Sequence, residues 1–232
     1  MCWRCSSKKW KTPSSWQCLW LSMPIKEIHG MPSNNANTIV IGLTGGIGSG
    51  KSTVSEILHR QFNLPVVDAD QMAHLITAPG GKALPLIVEA FGKEVLTASG
   101  ELNRELLRKR MVRDPGVKKQ LEAIQYPILQ REILDAIEAY RCQGVPAVIY
   151  DCPMFFQTHQ EQYVDRIAVV VCRKSTRIDR IVRRDHIDRD LAGRMLDLQM
   201  SDQEMVSRAD IVIDNSRDTL TLEQNIRLIK II

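Results

Sequence analysis

The stretch GLTGGIGSGKST at residues 42–53 decides the fold. Gly45, four intervening residues, Gly50, Lys51 and Ser52 fit the phosphate-loop pattern G-x-x-x-x-G-K-[ST] at every fixed position. Glycines let backbone N–H groups turn inward around phosphates, and the N-terminus of the helix that follows adds a partial positive charge. The stretch therefore predicts a loop that binds the phosphates of a nucleoside triphosphate.

Two side chains of this loop have predicted roles in nucleotide binding. Lys51 is expected to reach the β- and γ-phosphates, and Ser52 to offer its hydroxyl oxygen to Mg²⁺. The residues that we expect to contact the nucleotide are Gly46, Ile47, Gly48, Ser49, Gly50, Lys51, Ser52 and Thr53.

The residues around the loop indicate a doubly wound α/β domain. Residues 38–43 form a nearly continuous apolar run, which is typical of a strand buried on both faces of a parallel sheet. Similar runs recur at residues 65–67, 145–150, 164–172 and 210–213, with helical patterns between them. We therefore predict a phosphate-loop NTPase fold with three layers, α/β/α, around a five-stranded parallel sheet.

Two helical segments interrupt this predicted sheet domain. The segment between the second and third apolar runs is too long for one crossover and reads almost wholly as helix, which indicates an inserted lobe at residues 71–144. A second helical segment, rich in arginine, spans residues 173–207 and is the candidate lid. The sheet core would then comprise residues 38–70, 145–172 and 208–232.

Two aspartates follow the second apolar run, and they bear on whether the terminal phosphate is transferred to water or to the hydroxyl of another substrate. A switch GTPase would carry an Asn-Lys-x-Asp base reader and an Asp-x-x-Gly switch after a strand, and neither occurs in the sequence. Asp68 is expected in the crevice at the carboxyl ends of the strands, where it could accept the proton of an attacking hydroxyl. Asp70 is expected to be the N-cap of a helix at residues 71–76. The alternative is that Asp68 is itself only a cap or turn residue.

Polar residues elsewhere could complete a site for phosphate transfer. Asp151 ends the third apolar run, where it could hold a water of Mg²⁺, or it could be a turn residue before Pro153. Arg177, Arg180 and Arg184 share one face of a predicted helix. That face would be either a solvated, salt-bridged surface or a lid that clamps the charge of the transferring phosphoryl group.

The charge distribution argues against nucleic acid or a membrane as a partner. The formal charge of the 232 residues is +4, and all of this excess lies in residues 1–37. The rest of the chain is neutral overall, and it contains no run of about 18 apolar residues that could span a membrane. Residues 1–37 are expected to be a disordered extension or to lie upstream of the true start at Met23 or Met31, with a mitochondrial-type presequence as the alternative. The cysteines at 142, 152 and 172 fit reduced thiols of a cytoplasmic protein.

Taken in order along the chain, these residues resemble the dephospho-CoA kinase family from residue 39 to the C-terminus. Besides the loop, the resemblance depends on Val67-Asp-Ala-Asp70, Phe91-Gly92, Gly100-x-Leu-x-Arg104-x-x-Leu107, Leu121-Glu-x-Ile-x-x-Pro127, Pro153, Arg180-x-x-x-Arg184, Gln199 and Ala209-Asp-x-x-Ile-x-Asn215.

The resemblance implies transfer of the γ-phosphate of ATP to the ribose 3′-hydroxyl of dephospho-CoA, with ATP and Mg²⁺ required. By motif position, Asp68 would be the general base, Lys51 and Arg184 would act on the transferring phosphate, and Arg180 and Asn215 would contact ATP. The acceptor would be bound by the inserted lobe, and its contacts would be Asp68, Arg104, Tyr126 and Pro153. The enzyme would be cytoplasmic and a monomer or small homo-oligomer.

The sequence departs from the family pattern at positions that bear on the acceptor. Tyr126 stands where the family usually has His, and it can stack and hydrogen-bond but carries no positive charge. Gln157 replaces a carboxylate, Arg177 replaces a Gln, and Ser216-Arg217 replaces the glycine after Asn215. Rival interpretations are a nucleoside or nucleoside monophosphate kinase, an NTPase that drives a partner's conformational change, and a binder of nucleic acid or membranes through residues 1–37.

Overall fold

The five apolar runs form one parallel sheet in the computed structural model, which describes residues 38–217 and 219–228. The strand order across the sheet is β2-β3-β1-β4-β5, and every pairing is parallel. The strands are β1 (Ile39–Thr44), β2 (Val66–Asp68), β3 (Ala147–Asp151), β4 (Arg166–Val171) and β5 (Ile211–Asp214). The predicted α/β fold with a five-stranded parallel sheet is confirmed for this part of the chain.

Helices cover both faces of the sheet and produce the three layers. On one face, α1 (Lys51–Phe62) and α9 (Thr219–Leu228) pack against the sheet through residues such as Leu58 and Ile226. On the other face, α5 (Pro115–Cys142) contributes Ile133 and Ile137 to a second cluster. Because both faces are covered, the central strands are apolar along their whole length rather than alternating. This is the property of the sequence that made the strands recognisable.

The segment predicted as an inserted lobe is helical and has its own apolar cluster. It contains α2 (Ala69–Ile76), α3 (Leu84–Phe91), α4 (Arg104–Arg113) and most of the 28-residue α5. The cluster is distinct from those on the sheet, and its buried members are Ile76, Ala83, Leu84, Ile87, Val95, Leu102, Leu107 and Leu121. Residues 71–144 are called the helical lobe below.

The arginine-rich segment is helical too. It folds into α6 (Lys174–Asp185), α7 (Arg189–Asp197) and the short α8 (Asp202–Ser207). α6 and α7 pack through a small cluster of Ile181, Ala192 and Leu196. Residues 173–207 are called the lid segment below, and their function as a lid is a proposal.

The prediction for Asp70 was wrong by two residues. α2 begins at Ala69, and its N-cap is Asp68, whose Oδ1 accepts a hydrogen bond of 3.0 Å from the backbone N–H of Gln71. Asp70 lies in the first helical turn and is exposed. The reason is that β2 ends at Asp68 with extended backbone (φ −92°, ψ 114°) and the chain becomes helical at the next residue. The capping position therefore coincides with the end of the strand.

No helix within the described ranges combines the length and the apolar character needed to cross a membrane. The predictions made for residues 1–37 concern a segment that lies outside the described residues.

Candidate active site

The phosphate loop connects β1 to α1 and leaves the N-terminus of α1 open to a ligand. Gly48 and Gly50 have φ angles of +75° and +89°, a region that favours glycine. Gly50 is the N-cap of α1, no side chain caps the helix, and no acidic residue lies in its first turn. The first N–H groups of a helix have no partner within the helix. They are therefore available to the oxygens of a phosphate group.

The loop is packed so closely that its glycines cannot be replaced without movement. A Cβ atom at Gly45 would lie 2.6 Å from the backbone oxygen of Val170. Ser49 is only 1% exposed, and its hydroxyl oxygen is buried with no hydrogen-bond partner among the described residues. An unsatisfied buried hydroxyl is costly unless a ligand or water completes its bonding. The loop residues therefore fit a polar ligand such as a nucleotide phosphate.

Lys51 and Asp151 form an ion pair at the carboxyl end of the sheet. Lys51 begins α1, Asp151 ends β3, and the Nζ atom of Lys51 contacts Oδ1 of Asp151. Asp151 is 3% exposed, and burial raises the pKa of its carboxyl above the ordinary value, while the charge and hydrogen bond of Lys51 oppose that rise. The charge of Lys51 thus offsets part of the cost of burying this carboxylate beside the loop.

Asp68 lies next to this ion pair. In the parallel register of β2 and β3, Asp68 is opposite Asp151. Asp68, Asp151 and Ser52 all line one open cavity of about 690 Å³. The structure therefore brings together four of the residues that the sequence indicated: Lys51, Ser52, Asp68 and Asp151.

The donor set also suits a divalent cation. The Ser52 hydroxyl and the Asp151 carboxylate offer oxygen ligands, which Mg²⁺ prefers. Within the described residues there is no group of three or more His, Cys, Asp or Glu side chains that could hold a metal alone. Mg²⁺ at a nucleotide site is usually bound by one or two protein oxygens together with substrate phosphates and waters.

Arg180 and Asn215 contact the loop backbone. Nη1 of Arg180 donates to the carbonyl oxygens of Gly48 and Ser49 at 3.2 and 3.1 Å, and Nη2 donates to the carbonyl oxygen of Asn215 at 3.2 Å. The side-chain amide of Asn215, a residue that is 4% exposed, donates to the carbonyl oxygen of Ser49 at 2.8 Å. Both predicted nucleotide contacts therefore lie directly against the phosphate loop.

The structure separates the three arginines that the sequence grouped on one helical face. All three lie on α6, but Arg177 is buried against the loop, Arg180 is partly buried there, and Arg184 is on the surface. Nε and Nη2 of Arg184 pair with the carboxylate of the neighbouring Asp185 at 2.7 and 2.8 Å. Sequence reasoning missed the buried environment of Arg177, because an arginine-rich run gives no sign of which member faces inward.

The residues predicted to bind the acceptor are divided between two regions. In the helical lobe, Arg104 donates to Oγ1 of Thr77 at 2.7 Å, and the hydroxyl of Tyr126 donates to Oε1 of Glu122 at 3.2 Å. Pro153 follows β3 and lies instead beside Gly45 and Gly46 of the phosphate loop, where the three line a small cavity.

Sequence comparisons identify relatives over most of the chain. The family model described as dephospho-CoA kinase matches residues 39–221. The chain is 39% identical to a dephospho-CoA kinase from Bacillus cereus over 178 residues, which cover 77% of this chain and 88% of the relative. It is 38% identical to a dephospho-CoA kinase from Aromatoleum aromaticum over 192 residues, which cover 81% and 90% of the two chains.

Solved structures with the same fold are known as well. The crystal structure of TT1252 from Thermus thermophilus has a TM-score of 0.68 and 27% identity, over 82% of this chain and 95% of that one. A dephospho-CoA kinase from Campylobacter jejuni has a TM-score of 0.62 at 24% identity, over 80% and 92% of the two chains, a likeness that concerns the fold alone.

Proposed function

The chain belongs to the dephospho-CoA kinase family and is a kinase, and we propose that it transfers the γ-phosphate of ATP to the ribose 3′-hydroxyl of dephospho-CoA. The products would be coenzyme A and ADP. The observation that carries the proposal is the position of Asp68, which lies opposite Asp151 and lines the same cavity as Ser52. A carboxylate beside the γ-phosphate can take the proton of an attacking hydroxyl, which a kinase requires.

The donor side would be formed by the phosphate loop and Lys51. Residues Gly46–Thr53 would surround the phosphates with N–H groups, and the ammonium group of Lys51 would share its charge between Asp151 and the β- and γ-phosphates. Ser52 and Asp151 would hold Mg²⁺, which when bound neutralises charge on the phosphate oxygens. Arg180 and Asn215 would keep the loop in place around the nucleotide.

The proposed general base is oriented by the helix that it caps. The hydrogen bond from the Gln71 N–H engages Oδ1 of Asp68, which fixes the carboxylate at the start of α2. Its other oxygen would accept the proton of the ribose 3′-hydroxyl as that oxygen attacks the γ-phosphorus. The same side chain thus serves as a cap and as a base, so the two interpretations of Asp68 are compatible.

Arg184 now pairs with Asp185 through Nε and Nη2, and we propose that it exchanges this partner for the phosphate. Its pair with Asp185 is on the surface, with side chains 61% and 31% exposed. Exposed ion pairs contribute little to stability, so exchanging Asp185 for a phosphoryl oxygen would cost little. We therefore propose that the lid segment moves when ATP and acceptor are bound.

The acceptor would extend from Asp68 towards the helical lobe. Asp68 caps the first turn of α2, and Arg104 bonds Thr77 at the other end of this eight-residue helix. At 1.5 Å per residue the helix is about 12 Å long, which sets the scale of the acceptor segment between the two side chains. A guanidinium at that distance suits the acceptor diphosphate. Tyr126 and Pro153 are proposed as further contacts, the former as a neutral hydrogen-bonding ring.

The decisive measurement is ADP release with Mg-ATP and a panel of acceptors. The panel contains dephospho-CoA, AMP, UMP, adenosine and water, and coenzyme A serves as a matched control because its 3′-hydroxyl is already phosphorylated. We expect release with dephospho-CoA to exceed release with every other acceptor, and a new 3′-phosphomonoester signal by ³¹P NMR. Equal or greater release with AMP or UMP would favour a nucleoside monophosphate kinase, and equal release with water would favour an NTPase.

We also propose that the enzyme is cytoplasmic, acts on small molecules as a monomer or small homo-oligomer, and does not need residues 1–37. A chain that begins at Met31 should show the same kcat and KM as the full chain. Loss of activity in that shorter chain would assign a role to the N-terminal residues.

A further inference from the structure

The guanidinium group of Arg177 joins four separate segments of the protein. It extends from α6, and its Nε atom donates to the carbonyl oxygen of Ile47 in the phosphate loop at 2.8 Å. Its Nη1 atom pairs with Oδ1 of Asp202, at the start of α8, at 2.6 Å. Its Nη2 atom donates to Oε1 of Gln199, which lies between α7 and α8, at 3.3 Å.

Gln199 also bonds directly to the phosphate loop. The same Oε1 atom that accepts from Arg177 also accepts the backbone N–H of Ile47 at 2.8 Å. Both backbone groups of Ile47 are therefore bound, the carbonyl by Arg177 and the amide by Gln199. A Cβ atom at Gly46 would run into Nη2 of Arg177, so the guanidinium packs directly against the loop. The middle of the loop is thus fixed from the lid segment.

The burial of Arg177 distinguishes it from the other lid arginines. Its side chain is 7% exposed, whereas that of Arg184 is 61% exposed. A buried guanidinium needs a counter-charge and hydrogen-bond partners, and Asp202, Ile47 and Gln199 supply them. Three of the five N–H donors of the guanidinium, one on each nitrogen, are engaged by these partners, so the group is committed mainly to contacts within the protein. Arg177 is called a brace below, because its side chain ties the phosphate loop to the lid segment.

We propose that Arg177 is a positioning residue for the transfer reaction, which holds the phosphate loop in its nucleotide-binding shape and thereby sets the affinity for ATP and ADP. This proposal depends on the proposed function only for the identity of the nucleotide. The loop N–H groups bind phosphate well when their directions are set before the ligand arrives. Without the brace, the nucleotide would have to order Ile47 and its neighbours during binding, and affinity would fall.

The test is calorimetric titration of the full chain with ADP, which needs no acceptor. Arg177→Met removes the three polar contacts and keeps much of the side-chain volume, and we expect it to weaken ADP binding about tenfold, which equals about 1.4 kcal/mol. Lys174→Met is the matched control, because Lys174 also lies on α6 and pairs with Asp197 of α7 at 2.7 Å, but both side chains are over 60% exposed. We expect the control to bind ADP as the parent chain does.

The stoichiometry of ADP binding and the steady-state constants distinguish a positioning role from a general loss of structure. If Arg177 only stabilised the fold, its replacement would lower the fraction of binding-competent protein, seen as a lower stoichiometry at unchanged Kd. The positioning role predicts full stoichiometry, a higher Kd, and in steady-state assays a KM for ATP raised about tenfold with kcat changed less than threefold. Arg177→Gln, which can still donate to the Ile47 carbonyl, should show a smaller rise in Kd than Arg177→Met and serves as the test if the methionine variant does not fold.

The outcomes are distinguishable from those for the proposed function. A Kd for Arg177→Met within threefold of the parent value overturns the positioning role, as does a tenfold fall in kcat at unchanged KM. Failure of the parent chain to prefer dephospho-CoA as acceptor would overturn the proposed function and leave the ADP titration valid.

Discussion

The phosphate loop and the helical lobe are held in different ways. Four side chains make hydrogen bonds to the backbone of the loop: Arg177, Arg180 and Gln199 from the lid segment, and Asn215, which follows β5. In the helical lobe, the candidate acceptor contacts depend on bonds within the lobe, from Arg104 to Thr77 and from Tyr126 to Glu122. The loop is thus held by side chains from distant parts of the sequence, while the lobe side chains bond within a segment that has its own apolar cluster.

The difference has a physical reason. A nucleoside triphosphate carries its charge in the small volume of its phosphates. Backbone N–H dipoles stabilise that charge best when they already point towards the phosphate site before binding. The proposed acceptor is long and would be bound by side chains, which can adjust their rotamers when it arrives. This distinction predicts that a substitution in the core of the lobe leaves nucleotide binding unchanged, and that a substitution of Asp68, the proposed base, leaves the binding of both substrates unchanged.

The largest effect is expected from Asp68→Asn. Loss of a general base lowers turnover by roughly 10²- to 10⁴-fold, whereas the amide oxygen can still accept the Gln71 N–H and cap α2. Steady-state kcat should therefore fall at least about 100-fold, with ADP affinity unchanged by calorimetry.

Asp70→Asn is the matched control for that substitution, because Asp70 is two residues away, exposed and outside the cavity. Its turnover should equal that of the parent chain. Near-normal turnover in Asp68→Asn, or an equal loss in both variants, would show that the proton is taken by another group.

The second prediction concerns the core of the lobe. Ile87 is 0% exposed in the lobe cluster, and truncation of such a residue to Ala costs roughly 2–5 kcal/mol. Ile87→Ala should raise the KM for the acceptor and speed hydrogen exchange in α3 and α4, while ADP binding persists.

Leu86→Ala provides the comparison, since Leu86 is the preceding residue on α3 and is 46% exposed. It should leave exchange and acceptor KM near the parent values. Equal loss of ADP and acceptor binding in Ile87→Ala would mean that the lobe and the loop are one cooperative unit.

The third prediction tests the proposed acceptor contact at Arg104. Hydrogen bonds to charged groups contribute about 1.5–3 kcal/mol, so Arg104→Met should raise the acceptor KM by about tenfold or more. The KM for ATP should not change, because Arg104 bonds only within the lobe in the described structure. Arg113→Met is the control on the same helix, nine residues further and therefore on the opposite side. A similar effect of both substitutions would point to a general electrostatic attraction of the acceptor.

The loop also shows how far the sequence could lead. The strands were recognisable because burial on both faces makes them continuously apolar, and the loop because its glycines and Lys51 occur at fixed spacing. The start of α2 at Ala69 could not be recognised from the sequence. In Asp68-Ala-Asp70 either aspartate can act as the N-cap, and the residue at which β2 ends decides between them. The inward position of Arg177 was also hidden, because its partners Ile47 and Asp202 are far away in sequence.

The smallest effect is expected from a change in charge at Tyr126. Burial, together with the nearby charge of Glu122, raises the pKa of Tyr126 to about 12, so this side chain is neutral throughout the usual assay range. Tyr126→His would introduce a group with an ordinary pKa of about 6.5, which gains a positive charge as the pH falls. A cation there should favour an acceptor that carries phosphates, so the acceptor KM of the variant should fall about two- to threefold between pH 8 and pH 6, relative to the parent chain. Tyr126→Phe, which does not titrate, should follow the parent profile. If the acceptor KM of Tyr126→His varied with pH as it does in the parent chain, position 126 would lie away from the acceptor phosphates. Arg104 would then remain as the proposed lobe contact to those phosphates.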